Sequence, residues 1–301
     1  MESQGAVPGV CAPSRALRCL LAFGIACAAS NPAAADGLRF RASADYTWDD
    51  NVNRATKDNK LRDRFASANA SATLPLQLSP RFRLMLASTL GGDTFHTYTG
   101  LTRGFAEFNG ELQFRNSGQY TSPIWALFVK QGQDWYQSDL RDGYRTTAGL
   151  SVKKPVTDKI FLFGAASYIA RDGRSTVFDT KEWSLRGNLD YALAPRHTFY
   201  MGLEYREGDS VSSAPPTLAL LDIAKATVQD DVFANLIAYR FEARTGIVTV
   251  GYNFAVAPRQ SLDISYHGAY SRPKDQPPSN ISPNIIYYLD NQITLSYLIR
   301  F

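Results

Sequence analysis

Apolar and polar side chains alternate along most of the chain after residue 38, with a period of two. In the last segment the odd positions are apolar or aromatic: Ile293, Leu295, Tyr297, Ile299 and Phe301. The even positions there are mostly polar, and the same alternation recurs over 38–48, 183–193 and 261–271. Because successive side chains of a strand point to opposite sides, this period predicts β-strands with one apolar and one polar face.

Short turns and long polar loops alternate between these segments. The short turns lie at 78–81, 116–119, 156–159, 194–197 and 257–260. The long loops lie at 49–62, 94–102, 135–143, 172–181, 208–240 and 272–286. The twelve strands predicted between them are 38–48, 63–76, 82–93, 103–114, 123–134, 144–155, 159–170, 181–193, 197–207, 241–256, 260–271 and 287–301.

The length of these strands favours a membrane protein. A globular strand usually has about 5–6 residues, whereas a tilted strand that crosses a bilayer needs about 9–11. Only a closed barrel satisfies every backbone group of such strands in lipid. The sequence therefore predicts an all-β fold, a transmembrane antiparallel β-barrel of about twelve strands with short periplasmic turns and longer extracellular loops. A soluble secreted β-sandwich also alternates and is the less favoured alternative.

The N-terminal segment has the order of a secretory signal peptide. Two arginines (Arg15 and Arg18) accompany a short apolar run, and small residues (Ala33 and Ala35) precede a cleavage point. We predict a signal peptide at 1–35 and a barrel domain at 36–301. The three cysteines all lie in the first segment: Cys11, Cys19 and Cys27. Cleavage would leave a chain with no disulfide framework and no thiol chemistry.

The charge balance gives no sign of a nucleic-acid partner. Residues 36–301 carry 30 basic and 27 acidic side chains, and no strongly basic patch stands out. We expect no cofactor and no metal. The run Asp49-Asp50-Asn51 offers oxygen ligands that calcium accepts, but it lacks a complete ligand series, and a solvated loop is the favoured interpretation.

The last strand resembles the C-terminal signature of bacterial outer-membrane proteins. It ends in Phe301 and has alternating apolar positions at Ile299, Tyr297 and Leu295. The resemblance implies a signal for the barrel-assembly machinery, the lipid bilayer as the second partner, and a location in the outer membrane of a Gram-negative bacterium. Residues 46–54 and 230–266 are similar to uncharacterised proteobacterial outer-membrane β-barrel proteins of porin-like type. That similarity implies a barrel and brings no catalytic residues.

The apolar face is predicted to contact lipid and the polar face to line a lumen. Aromatic belts are expected at the loop ends (Trp48, Trp135, Tyr136 and Trp183) and at the turn ends (Phe82, Trp125, Phe199 and Phe301). The candidate lumen residues are Arg41, Asp45, Arg83, Glu107, Glu111, Lys130, Arg145, Arg186, Asp190, Glu204, Arg206, Asp263 and His267. Their charges nearly cancel.

Such a lumen has two interpretations that the sequence leaves open. It is either an ion-pair lattice that fills the barrel or the wall of a hydrated pore, and twelve strands fall between the filled and the open sizes. We therefore predict a porin-like channel for small solutes. The alternative is a plugged structural or export-associated barrel for a surface molecule. The oligomeric state stays undetermined.

Two further features bear on function. Residues 216–226 of the longest loop predict a short amphipathic helix with Leu218, Leu221 and Lys225 on one face, and this loop either enters the mouth or packs on the rim.

A lipid hydrolase would need a base beside a nucleophile. His267 with Ser265, Ser271 or Asp263 is the one candidate set, and it lacks a recognisable spacing. We expect no enzyme, and we expect His267 to hydrogen-bond to Asp263 or Ser265.

Overall fold

The computed structural model describes residues 37–282 and 285–301. The predicted signal peptide lies outside the described residues and stays a prediction. Within the described ranges the strands are β1 (Arg39–Asp49), β2 (Asp63–Gln77), β3 (Phe82–Phe95), β4 (Arg103–Arg115), β5 (Ile124–Tyr136), β6 (Gly143–Pro155), β7 (Ile160–Gly173), β8 (Thr180–Ala194), β9 (His197–Ala214), β10 (Ala226–Gln229), β11 (Ile237–Ala257), β12 (Gln260–Pro273) and β13 (Tyr288–Arg300). One helix, α1, spans Leu218–Ile223. No helix in these ranges is long and apolar enough to cross a membrane.

Twelve of the strands close into a ring. Each strand from β1 to β9 pairs with its neighbour in antiparallel fashion, β9 pairs with β11, and β13 returns to β1. The short strand β10 pairs only with the start of β11 and stands outside the ring. A closed ring leaves no unpaired strand edge, which is the condition for placing strands in lipid. The predicted twelve-stranded antiparallel barrel is confirmed, with one additional strand.

The exterior of the ring is apolar. Large side chains that project outward include Trp48, Trp125, Leu150 and Trp183, which are between 41% and 65% exposed. A continuous apolar outer surface on a closed barrel is the surface that faces lipid. One belt prediction is wrong: Tyr136 faces the interior. Its neighbour Trp135 faces lipid, and successive residues of a strand cannot share a face.

The final strand closes the ring beside β1. The backbone NH of Phe301 donates to the carbonyl of Phe40 at 2.9 Å, and the Phe301 ring is 66% exposed. Leu295, Tyr297 and Ile299 lie on the same outer face as this ring. Their role as an assembly signal stays a prediction.

Strands β9 and β11 are longer than the other strands of the ring. They have 18 and 21 residues, whereas the others have 11 to 15. The pairing of β9 with β8 ends at Gly208, and that of β11 with β12 ends at Ala243. The two extensions then pair with each other up to Ala214 and Ile237. Residues 208–240 are therefore not one loop, as predicted, but two strand extensions, α1 and β10.

Gly208 marks the point at which β9 leaves the wall. Its φ angle is 148°, and a Cβ there would overlap the carbonyl oxygen of Lys181 and the backbone of Glu182 on β8. Only glycine takes this conformation without strain. The backbone beyond Gly208 is thereby free to turn away from β8.

Candidate functional site

The inner face of the barrel is identified by contacts that reach past an intervening strand. Arg145 on β6 lies 3.3 Å from Glu107 on β4, over Gly132 of β5. In the same way the Tyr200 hydroxyl on β9 donates to Asp263 on β12 at 2.8 Å, past β11. Side chains two strands apart meet only on the concave side of a closed sheet. These pairs therefore mark the lumen.

The strand registers extend this assignment to the whole ring. Every residue predicted to line the lumen lies on this inner face: Arg41, Asp45, Arg83, Glu107, Glu111, Lys130, Arg145, Arg186, Asp190, Glu204, Arg206, Asp263 and His267. Several form ion pairs along the wall, such as Arg206 with Glu204 at 2.6 Å and Lys153 with Glu111 at 3.4 Å. The inner wall is therefore polar and largely charge-compensated.

Aromatic side chains also line the lumen, and the sequence pattern did not single out three of them. Phe105, Phe128 and Tyr200 each stand directly opposite a glycine of the neighbouring strand. A Cβ on the glycine opposite Phe105, Gly91, would lie 2.5 Å from the ring carbon Cζ. The missing side chain lets each ring lie flat against the wall. The glycines are visible in the sequence, but the aromatic ring that each glycine faces is known only from the strand register.

The lumen is open at the turn end and closed at the loop end. Inward charged residues from the middle of the strands to the turns are exposed to solvent, among them Arg41, Arg186 and Asp190. Inward residues near the loops are buried, with Asp49 at 5% and Asp134 at 0% exposure. A barrel filled along its length would bury both sets. The obstruction is therefore confined to the extracellular mouth.

A single segment, residues 209–242, covers this mouth, and we call it the lid. It contacts the connections β1–β2, β3–β4, β5–β6 and β7–β8 and the start of β13. The contacts join Ser213 to Asn53, Phe233 to Tyr98, Asp230 to Arg141, Arg240 to Asp179 and Tyr239 to Tyr288. Because these partners surround the rim, the segment that contacts all of them spans the opening.

Two apolar clusters hold the lid to the rim. One contains Tyr239, Phe241 and Leu220 of the lid with Ala55 and Tyr288. The other joins Ala238 to Val177 and Phe178. Helix α1 lies where it was predicted, capped by the Thr217 side chain, but the expected face is wrong. Leu220 is buried at 5%, while Leu218 and Leu221 are 77% and 47% exposed. The helix packs through Leu220 against the rest of the lid and does not enter the lumen.

Arg141 of the β5–β6 connection fastens the lid beside the second cluster. Its guanidinium donates to Asp230 at 2.8 Å and to Asp231 at 2.8 Å. The Arg141 and Asp230 side chains are only 7% and 0% exposed. The rings of Phe178 and Phe233 flank the guanidinium, 4.7 and 5.7 Å from its carbon. A buried charge pair of this kind is costly to separate, because each partner would be left buried alone.

The β1–β2 connection enters the mouth beneath the lid. The Asn51 side chain bonds the backbone of Ala55 and Leu289, and the Asn53 side chain bonds the backbone of Asn59, Leu61 and Ser213. Both asparagines are almost fully buried, at 0% and 3% exposure. They fold residues 51–55 into a tight turn whose tip, Arg54, points into the barrel cavity.

Asp50 anchors the same connection to the last strand. Its carboxylate lies 2.8 Å from the Lys60 ammonium and accepts hydrogen bonds from Asn291. Burial alone would raise the pKa of Asp50, but the bonds from Lys60 and Asn291 outweigh it and hold this pKa below its usual value. The connection is therefore anchored by an ionised carboxylate.

A cavity of about 630 Å³ lies between the lid and the lumen. Its charged lining includes Arg54, Arg103, Arg141, Arg145, Arg171, Arg206, Asp49, Asp93, Glu182, Asp209, Asp290 and His267. The volume is in the range of sites for small molecules, about 300–1,000 Å³. Arg54, Arg141, Arg171 and Asp290 are among the residues missed as lumen candidates, because they lie in predicted loops or near strand ends.

The histidines do not form the set that a hydrolase needs. His267 faces the lumen, and its Nδ1 atom lies 3.3 Å from the Thr249 hydroxyl on β11. The expected partners are wrong: Asp263 instead accepts hydrogen bonds from Tyr200 and Asn253. The cross-strand neighbour is closer to the ring than the residues two positions away on its own strand.

Three acids meet at the top of β1 and β13. Asp49, Asp50 and Asp290 each offer one oxygen within 4.8 Å of the others. The side chain of Asn51, part of the sequence run considered for calcium, bonds backbone atoms instead. Three oxygens are fewer than the six to eight that calcium takes. The cluster alone does not define a metal site.

Comparisons with known proteins bear on the fold. No family model and no curated protein matches the sequence. An outer-membrane channel from Pseudomonas putida F1 superposes with a TM-score of 0.55 at 10% identity, over 88% of this chain and 95% of that one. The KdgM porin in complex with disordered oligogalacturonate gives 0.44 at 12% identity, over 86% and 99%. The Salmonella typhi outer membrane phospholipase dimer with bound calcium gives 0.46 at 10% identity, over 86% and 90%.

The first of these structures shares the architecture of this chain. The protein has the fold of an outer-membrane β-barrel. Its lipid-facing exterior agrees with that location, and the predicted resemblance to porin-like barrels is confirmed at the level of fold. At 10% identity the likeness carries no information about the solute or the activity.

Proposed function

We propose that the protein is a passive channel for small solutes in the outer membrane, closed at its extracellular mouth by the lid, and that it is not an enzyme. The observation that carries this proposal is the polar cavity beneath the lid, which adjoins a lumen whose charged side chains are exposed at the turn end. A barrel built only as a scaffold has no need of a hydrated interior below its plug. Removal of the lid alone would connect the lumen to the extracellular side.

A planar-bilayer recording tests this proposal. Gly208 and Ala243 stand directly opposite each other where the lid leaves the wall. The lid, residues 209–242, is therefore replaceable by an Asn-Gly turn, which joins paired antiparallel strands in two residues. We expect rare or small current steps from the intact protein and frequent, larger steps from the variant without the lid. A variant that folds and stays silent would support the alternative, a plugged structural or export-associated barrel.

A reversible crosslink tests the same proposal without removing residues. A Cβ on Gly100 would lie 3.3 Å from the Cβ of Val232, close to the separation in a disulfide. Gly100→Cys with Val232→Cys should suppress the remaining current steps under oxidising conditions, and a reductant should restore them. Each single cysteine variant is the control. Identical currents in both redox states would show that lid movement does not open the pore.

A further inference from the structure

The charges that line the cavity are mostly paired, and the exceptions are informative. Arg103 lies 2.6 Å from Asp93, and Arg206 lies 3.3 Å from Glu182. Arg141 is held by Asp230, Arg145 contacts Glu107, and Asp209 contacts Lys225. In the part of the chain that the structure describes, this leaves two lining cations without an ion pair, Arg54 and Arg171, and two lining acids, Asp49 and Asp290.

Arg54 is held at the tip of its turn in an unfavourable backbone conformation. Its φ angle is 51°, in the left-handed region that residues other than glycine rarely adopt. Such strain persists where the surrounding structure enforces it and is typical of functional sites. The buried side chains of Asn51 and Asn53 enforce it here. The exposed Arg54 side chain is thereby presented to the cavity.

Arg54 shares the cavity with acids from both walls. It lines the same cavity as Glu182 of β8 and as Asp49 and Asp290 of β1 and β13. These strands lie on different sides of the ring. The guanidinium therefore stands in the cavity space between the walls, where a solute would pass it.

Arg171 is the second cation without an acidic partner. One of its terminal nitrogens donates to the backbone carbonyl of Arg141, and the ring of Tyr136 lies 5.4 Å from its guanidinium carbon. Its Nε atom is buried without a hydrogen-bond partner, and Arg145 stands directly opposite it on β6. Like charges directly opposite each other in a sheet are unfavourable. An oxyanion bound here would relieve that repulsion.

The two remaining acids lie across the cavity from Arg171. Strand β7, which carries Arg171, is six positions from β1 in a ring of twelve, and Asp290 lies on β13 beside β1. Gln292 donates to both Asp49 and Asp290, while the Oδ1 atom of Asp290 is buried without a partner. The cavity thus has a side that donates to anions and a side that accepts hydrogen bonds.

We propose that this cavity binds a small hydroxylated organic acid. The oxyanion group is held by Arg54 and Arg171, and the hydroxyl groups donate to Asp49 and Asp290. Guanidinium groups suit carboxylates because charge-assisted hydrogen bonds are short and strong. This inference rests on the channel proposed above and names the class of solute that the channel would carry.

Calorimetric titration of the intact protein in an uncharged detergent tests the site. The probes are gluconate and glucitol, which differ by a carboxylate in place of a hydroxymethyl group, and inorganic phosphate. We expect gluconate to bind at least about tenfold more tightly than glucitol, the factor for one charge-assisted hydrogen bond. Equal affinity for gluconate and glucitol would overturn the proposal. Phosphate binding as tight as that of gluconate would overturn the part assigned to Asp49 and Asp290.

Three single substitutions assign the residues. Arg54→Gln and Arg171→Gln should each weaken gluconate binding by about tenfold or more. Arg83→Gln is the matched control, because Arg83 is an inward arginine at the turn end, outside the cavity, and also lacks an ion pair among the described residues. It should leave gluconate affinity unchanged. An equal loss in the control would mean that only the overall lumen charge matters, which would overturn the site.

The binding site and the channel can be tested separately. Arg54 lies on a connection and not in the barrel wall, so Arg54→Gln reports on binding even if Arg171→Gln fails to fold. Tight gluconate binding by a protein that never conducts would refute the channel and leave the site standing. Conduction by the lidless variant without any preference of the intact protein for gluconate would refute the site and leave the channel standing.

Discussion

The Arg141 guanidinium donates two hydrogen bonds to the Asp230 carboxylate, at 2.8 and 3.0 Å. These residues are 89 positions apart in the sequence, and both are buried. Asp230 also accepts from the Ser213 hydroxyl and from the backbone NH groups of Val232 and Phe233. The pair therefore joins the lid to the β5–β6 connection. At the same point the other hydrogen bonds of Asp230 fix the turn of the lid.

Breaking this pair should loosen the lid. Arg141→Gln leaves Asp230 without its counter-charge, and removing one partner of a buried pair costs about 3–5 kcal/mol. We expect the frequency of channel openings in planar bilayers to rise by roughly a hundredfold or more, since about 1.4 kcal/mol corresponds to a factor of ten. The matched control is Arg174→Gln, which breaks the exposed pair with Asp139 on a neighbouring connection. Equal opening frequencies in the two variants would contradict the role of Arg141.

Acid should release the β1–β2 connection through Asp50. The pKa of Asp50 is lowered in the folded protein, so its stabilising contribution is present above the unfolded value of about 3.9 and is lost as the pH falls through the folded value. We expect the thermal midpoints of wild type and Asp50→Asn to differ by a constant amount from about pH 8 to pH 5, and this difference to shrink progressively as the pH falls below about 4. A difference that stays constant as the pH falls below about 4 would refute this.

The terminal residue should control assembly. Phe301 ends the strand that closes the ring and is 66% exposed on the outer face. We expect Phe301→Asp to slow insertion and to shift the protein to periplasmic degradation, while Phe301→Tyr assembles normally. Heat-dependent migration of membrane fractions on gels measures the folded barrel. Normal insertion of the aspartate variant would count against a C-terminal assembly signal.

His267 should have no catalytic role. Its hydrogen bond to Thr249 faces the lumen and not the lipid. We expect His267→Ala to cost about 1 kcal/mol of stability at most, the value of one hydrogen bond. Mass spectra of lipid A and phospholipids should be the same in cells with wild type, with the variant and without the protein. An acyl pattern that depends on His267 in an assembled barrel would instead identify a hydrolase.

The barrel itself could be predicted because its cause is local and repeated. A period of two assigns each side chain to one of two faces, and strands in lipid must pair all their backbone groups, so long alternating segments imply a closed ring. The inward positions of Arg145 and Asp263 follow from that alternation alone. The same rule explains the error at Tyr136, which was grouped with Trp135 on a single face.

The lid, the cavity and their unpaired charges were decided by the tertiary structure. The sequence shows 208–240 as a polar stretch with a short helix, and nothing local distinguishes a loop on the rim from one across the mouth. Ring closure brings Arg141 to Asp230 and leaves Arg54 and Arg171 without an ion pair among the described residues. The sequence determines only a near-neutral charge count, which is compatible with a fully paired lumen and with one that has unpaired charges. Which charges pair depends on distances between strands that are far apart in the chain.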